Sequence, residues 1–320
     1  MAVQAVSNGT DTITSRIDRV TKIADKYLGT ILPAPRSVKW ELNTACNYSC
    51  SFCVRNIRKN ENKSVERAFY SRVVRELKAA GVEELGLFYI NEPFSVKWLP
   101  EAIAEAKAVG FEYVFLTTNG SIAHPDIVER CMAAGLNSLK FSINFYDDAQ
   151  FKDVAQVKPK LYATAIANLK KAREIRALGQ YKTKLYASSI AFDGDQGEKM
   201  RAIVDDIRPH VDEFYWLPLY GMGGAAKEAG WKPQPGNPGR LAAMRDPLPC
   251  WSVFTEGHIT ADGKLSACCF GHGVDDDMVM GDLHTQTFMQ AWNSPSYQTL
   301  RAAHLRKDVC GTPCETCAAA

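Results

Sequence analysis

The sequence predicts an α/β protein with a parallel sheet, followed by a small cysteine-rich module. Segments with the two-residue period of strands alternate with segments of helical period along most of the chain. Such alternation indicates strand–helix units that form a parallel sheet. Six strands are predicted, at 37–42, 85–90, 113–117, 138–143, 184–191 and 213–219. Helices are predicted to end near Gly81 and to span 98–109, 124–134, 160–177 and 197–208.

Changes in composition divide the chain into four parts. Residues 1–36 contain a leading amphipathic helix that is expected to cover one end of the core, and 37–220 hold the six units. Segment 221–249 is rich in glycine and proline, which is typical of a linker. Residues 250–320 contain six of the ten cysteines. This last part is therefore predicted to be a separate module.

The bulk properties argue against nucleic acids and membranes as partners. The 320 residues carry a net charge of only +2, and no apolar run approaches the roughly 18 residues that cross a bilayer. No targeting segment is evident at the amino terminus, so we expect a cytoplasmic protein. Ten cysteines in such a protein indicate metal or redox chemistry rather than disulfides.

The first cysteine group directly follows the first predicted strand. Cys46, Cys50 and Cys53 lie on one loop, where three thiolates can hold three irons of a 4Fe-4S cluster and leave the fourth iron open. A zinc site and buried structural cysteines are the alternatives. The Cys-x3-Cys-x2-Cys spacing, with Phe52 before the third cysteine, resembles the signature of radical S-adenosylmethionine (SAM) enzymes. This resemblance implies a partial (β/α)6 barrel in which the open iron binds SAM, and the reduced cluster cleaves SAM to a 5'-deoxyadenosyl radical.

Residues at the ends of the later strands resemble further elements of that family. Asn91-Glu92-Pro93 resembles the family's Gly-Glu-Pro motif, with asparagine in place of glycine, and implies that Glu92 binds the SAM amino group. A Thr-Asn-Gly turn and small polar residues on the next strands complete the implied SAM site. The candidate cofactor-binding residues are Phe52, Asn91, Glu92, Pro93, Thr118, Asn119, Ser142, Asn144 and Ser188.

The carboxyl-terminal cysteines predict a second metal centre. A hairpin turn at 261–264 brings Cys250 and Cys268 together, and Cys310, Cys314 and Cys317 follow a helical segment near 287–305. A zinc ribbon is the alternative. The arrangement resembles the SPASM and twitch extensions of radical SAM enzymes, which implies one auxiliary 4Fe-4S cluster. Its predicted ligands are Cys250, Cys268, Cys314 and Cys317, with Cys310 as the rival for a ligand position.

These features predict an enzyme that abstracts a hydrogen atom from a small polar metabolite, such as a sugar or an aminocyclitol. The outcome is oxidation if the auxiliary cluster accepts an electron, or epimerisation if Cys269 or Cys310 returns a hydrogen atom. A flavodoxin or ferredoxin is the expected reductant. The alternatives are a maturase of ribosomally made peptides and a non-catalytic iron–sulfur or zinc protein.

Overall fold

The computed structural model describes residues 12–57, 62–191, 194–234, 247–270 and 276–318. The strands are Ser37–Trp40 (β1), Glu84–Gly86 (β2), Tyr113–Thr118 (β3), Ser138–Ser142 (β4), Lys184–Ala191 (β5), Glu213–Pro218 (β6), Glu256–Ile259 (β7), Lys264–Ser266 (β8) and Val279–Asp282 (β9). The helices are Ile13–Thr21 (α1), Arg67–Ala80 (α2), Leu99–Val109 (α3), Pro125–Ala133 (α4), Asp148–Ala155 (α5), Lys160–Leu178 (α6), Gln196–Lys199 (α7), Arg201–Ile207 (α8), Ala225–Glu228 (α9), Phe288–Trp292 (α10), Pro295–Leu305 (α11) and Glu315–Ala318 (α12).

All of these strands belong to one sheet in the described part of the chain, in the order β6-β5-β4-β3-β2-β1-β7-β8-β9. Strands β1 to β6 pair in parallel with their sequence neighbours and form the predicted partial (β/α)6 barrel. The predicted hairpin is β7–β8, and β7 pairs in parallel with β1. The carboxyl-terminal module therefore extends the barrel sheet, so its cysteines lie next to the β1 edge.

Local sequence signals explain where several elements end. The buried face of α2 consists of Tyr70, Val73, Val74 and Leu77, and the helix ends at Gly81 with a φ of 101°, a value that favours glycine. The predicted helical segment near 287–305 forms two helices, α10 and α11. Ser294 caps the second of them, with proline at its first position.

Strand β2 and helix α5 also differ from the prediction. Strand β2 ends at Gly86 rather than continuing to Ile90, and a Cβ atom at Gly86 would lie 2.9 Å from the ring of Phe115. Helix α5 was not predicted, although Asp147 caps it by accepting a hydrogen bond from Gln150 N. Its eight residues are too few for the helical period to stand out from the sequence.

The leading helix closes the amino-terminal end of the barrel. Arg16 of α1 is buried, pairs with Glu84 at 2.5 Å and lies 3.6 Å above the ring of Tyr113. This ion pair holds α1 against β2 and β3, because a buried charge that loses its partner destabilises the folded state. The predicted linker at 221–249 includes 235–246, which lies outside the described residues. The described helices include none that is long and apolar enough to span a membrane.

Candidate functional site

One cavity of about 390 Å³ opens at the carboxyl ends of the barrel strands and extends down to α1. Parallel strands in barrels direct their carboxyl ends, and so their chemistry, to one face. The lining includes most of the predicted site residues. They are Cys46, Cys50, Phe52, Cys53, Asn91, Glu92, Thr118, Asn119, Ser142, Asn144 and Cys269.

The loop that carries the first three cysteines is held in place by α5. Ser49 N and Ser51 N donate to the carbonyls of Ala155 and Val154, at 3.0 and 2.8 Å. Tyr48 packs edge-on against Phe151, with 5.2 Å between the ring centroids. The unpredicted helix α5 therefore positions the cysteine loop through contacts between distant parts of the sequence.

The electrostatics of these thiols fit a metal cluster. Burial, together with the nearby Glu92, raises the pKa of the Cys46 thiol to about 12. Burial and the neighbouring Cys53 and Cys46 raise the pKa of Cys50. The three half-buried thiols line one cavity, and a thiol whose pKa is raised becomes a thiolate when bound iron supplies positive charge. Within the described ranges no three His, Cys, Asp or Glu side chains are placed to ligate a single ion, whereas a 4Fe-4S cluster gives each thiolate its own iron.

Glu92 joins the ends of β2 and β3. Its carboxylate accepts hydrogen bonds from Thr118 Oγ1 at 2.6 Å, from Asn119 N at 2.7 Å and from Phe94 N at 3.2 Å. Burial raises the pKa of Glu92 to about 7, although these three bonds oppose the shift. Glu92, the residue predicted to bind SAM, therefore also holds the Thr-Asn-Gly turn in position.

The remaining predicted cofactor-binding residues differ in their access to the cavity. Asn91 Nδ2 donates to Asn43 Oδ1 at 3.1 Å, and Pro93 is buried in a short 3-10 helix. Asn144 Oδ1 accepts from Ile190 N at 3.0 Å, which links β4 to β5 near the cavity. Ser188 is buried in β5 and is absent from the cavity lining within the described chain.

Four of the carboxyl-terminal cysteines influence one another. Burial raises the pKa of Cys250, and Cys268, Cys314 and Cys317 raise it further. The pKa of Cys314 is likewise raised by burial and by Cys268 and Cys317. They are the four thiols that the sequence predicts as ligands of the auxiliary cluster. Cys310 is exposed, with its Sγ 3.8 Å from Glu315 Oε1.

Cys269 follows Cys268 directly and lines the cavity. Burial and the neighbouring Cys268 hold the pKa of the Cys269 thiol above its ordinary value. Of the two thiols predicted to face the substrate, the structure thus places Cys269 at the cavity and Cys310 on the surface.

Sequence reasoning missed three charged residues inside the barrel. Lys39 of β1, Lys140 of β4 and Glu256 of β7 all line the cavity. Lys39 and Lys140 alternate with buried apolar residues on their strands, as inward-facing positions should. This alternation of charge with apolar residues was the signal that could have identified them.

Comparisons with known proteins agree with this geometry. A sequence model of the radical SAM superfamily matches residues 40–202, and one of the SPASM iron–sulfur cluster-binding domain matches 250–318. A GTP 3',8-cyclase from Chlorobaculum tepidum is 25% identical over 120 residues, which cover 37% of this chain and only 36% of that relative.

Two solved structures share the fold. Streptococcus suis SuiB bound to its precursor peptide SuiA superposes with a TM-score of 0.66 at 13% identity, over 94% of this chain and 75% of SuiB. BtrN in complex with AdoMet and 2-DOIA gives a TM-score of 0.54 at 15% identity, over 84% of this chain and 86% of BtrN. The chain therefore belongs to the radical SAM superfamily, carries a carboxyl-terminal SPASM module, and uses SAM and 4Fe-4S clusters as cofactors.

Proposed function

We propose that this enzyme epimerises a carbon centre of a small polar metabolite, with Cys269 as the residue that returns a hydrogen atom. One observation carries the proposal: Cys269 lines the same cavity as Cys46, Cys50, Cys53 and Glu92. A substrate in that cavity lies between the SAM site and the Cys269 thiol. Cys46, Cys50 and Cys53 hold the SAM-binding cluster in this proposal, and Cys250, Cys268, Cys314 and Cys317 hold the auxiliary cluster.

When bound, SAM and the reduced cluster supply a 5'-deoxyadenosyl radical that removes one hydrogen atom from a substrate C–H bond. Glu92 accepts a hydrogen bond from the SAM ammonium group and so orients the cofactor. The Cys269 S–H gives a hydrogen atom to the opposite face of the substrate radical, which leaves a sulfur-centred radical. One electron and one proton restore the thiol, and a flavodoxin or ferredoxin supplies the electron. The protein's remaining task is to orient the substrate and exclude water.

A peptide substrate is the second candidate. The resemblance to SuiB, whose solved complex contains the precursor peptide SuiA, extends over 94% of this chain and favours it. The cavity of about 390 Å³ must hold SAM as well as the substrate, and the limited space that remains favours a metabolite. The experiment on Cys269 separates these two candidates as well.

We expect the Cys269→Ala variant to stop returning hydrogen while it still cleaves SAM. The reconstituted enzyme is incubated in deuterium oxide with a cell extract divided by ultrafiltration into small metabolites and peptides. Because an S–H exchanges with solvent, the wild type should introduce one deuterium at a carbon of one compound in the small-metabolite fraction. Mass spectrometry measures the label, and 5'-deoxyadenosine formation measures cleavage.

The matched control is Cys310→Ala, because Cys310 is exposed and should not affect the label. A labelled product in the peptide fraction would favour the maturase. A product two mass units lighter than its substrate, without deuterium, would show oxidation and contradict the role of Cys269.

We expect Glu92→Ala to weaken SAM binding at least about tenfold, the size of one lost charge-assisted hydrogen bond. The loss includes the ammonium contact and the brace to Thr118 and Asn119. Equilibrium titration with SAM measures the effect, with Glu101→Ala as the control because Glu101 forms an exposed ion pair with Arg130. Unchanged SAM affinity in Glu92→Ala would contradict the role of Glu92 as the residue that binds the SAM ammonium group.

A further inference from the structure

Lys140 occupies an unusual position within the cavity. It lies at the centre of β4, between Ser138 and Ser142, and all three residues line the cavity wall. Lys140 therefore lies between the end closed by α1 and the cysteine loop. Its neighbour across the cavity is the Lys39–Glu256 ion pair, in which Nζ and Oε2 are 2.8 Å apart.

The ammonium group of Lys140 has no hydrogen bond or ion pair with any residue that the structure describes. The ring of Tyr215 lies near it, with the ring centroid 5.8 Å from Nζ. No ion pair joins Glu256 to Lys140, and Glu256 Oε2 instead binds Lys39 and lies 3.0 Å from His258 Nε2. Although burial opposes ionisation, Lys39 and His258 lower the pKa of Glu256 to about 2.

An unpaired lysine in such a place is unfavourable for folding. Burial, with added repulsion from Lys39, lowers the pKa of Lys140 to about 7. A polar group that costs stability and has no internal partner is typical of a binding or catalytic site. The group that pairs with Lys140 is therefore to be sought in the substrate.

We propose that Lys140, together with Lys39, binds a carboxylate of the substrate deep in the barrel cavity. When Lys140 is protonated, Lys39, Lys140 and Glu256 together carry one net positive charge, which a monoanion balances. A carboxylate also accepts hydrogen bonds from both ammonium groups. This inference rests on the proposed function, since it names the substrate class of the same cavity.

The proposed carboxylate site lies in the same cavity as the thiol that is proposed to return hydrogen. Lys39, Lys140 and Cys269 all line the same cavity, so a substrate held by the two lysines shares that space with the Cys269 thiol. The same net charge repels cations, and it therefore favours a sugar acid or another carboxylated metabolite over an aminocyclitol. An acidic side chain of a peptide has the same carboxylate and is the other source to be tested.

The test compares isosteric probes that differ only in charge. Reconstituted, SAM-loaded enzyme is titrated with N-acetylglycine and N-acetylglycinamide, and separately with acetyl-Gly-Glu-Gly-amide and its glutamine analogue. We expect one of the two carboxylates to bind at least about tenfold more tightly than its amide, as a charge-assisted hydrogen bond predicts. The pair that shows the preference identifies a small acid or a peptide as the source.

Variants assign the preference to Lys140. Lys140→Gln should abolish it, Lys140→Arg should retain part of it, and Lys170→Gln should not change it, because Lys170 forms a surface pair with Asp206. Equal binding of acid and amide by the wild type, including no binding of either, would overturn the proposal. A preference that survives in Lys140→Gln would overturn it too.

A second readout is independent of any ligand. Because the unpaired ammonium opposes folding, Lys140→Met should raise the melting temperature of the substrate-free enzyme. A clear decrease would show that Lys140 is a structural residue. Formation of 5'-deoxyadenosine without substrate separates the two proposals: if the wild type cleaves SAM but binds acid and amide alike, the proposed function stands and the carboxylate site does not.

Discussion

A variant with Cys46, Cys50 and Cys53 all replaced by alanine should lose every trace of 5'-deoxyadenosine formation. Under the usual four-iron stoichiometry, iron should fall from about eight to about four per chain. The three thiols open onto the cavity that also contains Glu92, and the SAM-binding cluster has no other ligands there in our proposal. Anaerobic reconstitution with iron and sulfide, iron counting and a cleavage assay under reducing conditions measure both effects.

The matched control is Cys131→Ala. Cys131 is fully buried in α4, and burial raises the pKa of its thiol to about 12, so it is expected to take no part in metal binding. This variant should retain all the iron and all the cleavage activity. Tightly bound zinc in the wild type, without SAM cleavage, would contradict the assignment and leave a structural metal protein.

The barrel strands could be predicted because their signals are local. The predicted strand at 184–191 coincides with β5, since apolar period and turn residues mark both of its ends. Strand β2 is shorter than predicted because its end depends on a distant contact. At Gly86 the ring of Phe115 leaves no space for a side chain, and this contact is not visible in the local sequence.

The candidate site likewise combines features that are visible in the local sequence with features that depend on contacts between distant residues. The spacing of Cys46, Cys50 and Cys53 is local, so the sequence was sufficient to predict a cluster loop. The support of this loop by α5 depends on backbone contacts to Val154 and Ala155, about a hundred residues further along the chain. The charged cavity wall formed by Lys39, Lys140 and Glu256 likewise exists only once β1, β4 and β7 are assembled.

The pairing of β7 with β1 joins the carboxyl-terminal module to the barrel sheet. The register places Lys39 opposite His258 and Trp40 opposite Ile259. The hairpin therefore continues the barrel sheet. The segment after β8 carries Cys268, which is a predicted ligand of the auxiliary cluster, and Cys269, which lines the cavity. The pairing of two strands so far apart in the sequence could not be predicted from the local pattern of apolar residues.

A Cys250→Ala, Cys314→Ala double variant should therefore separate the two centres. We expect iron to fall from about eight to about four per chain, this time with SAM cleavage retained. The reason is that, within the part of the chain that the structure describes, neither Cys250 nor Cys314 lines the cavity that contains Cys46, Cys50 and Cys53. Iron counting and 5'-deoxyadenosine formation measure the result.

Cys310→Ala is the critical comparison, because sequence spacing alone allows Cys310 as a ligand. Cys310 is exposed beside Glu315, whereas Cys250 is influenced by Cys268, Cys314 and Cys317. An unchanged iron content in Cys310→Ala would support the predicted ligands Cys250, Cys268, Cys314 and Cys317. Loss of about four irons would show that Cys310 takes the place of one of these four ligands.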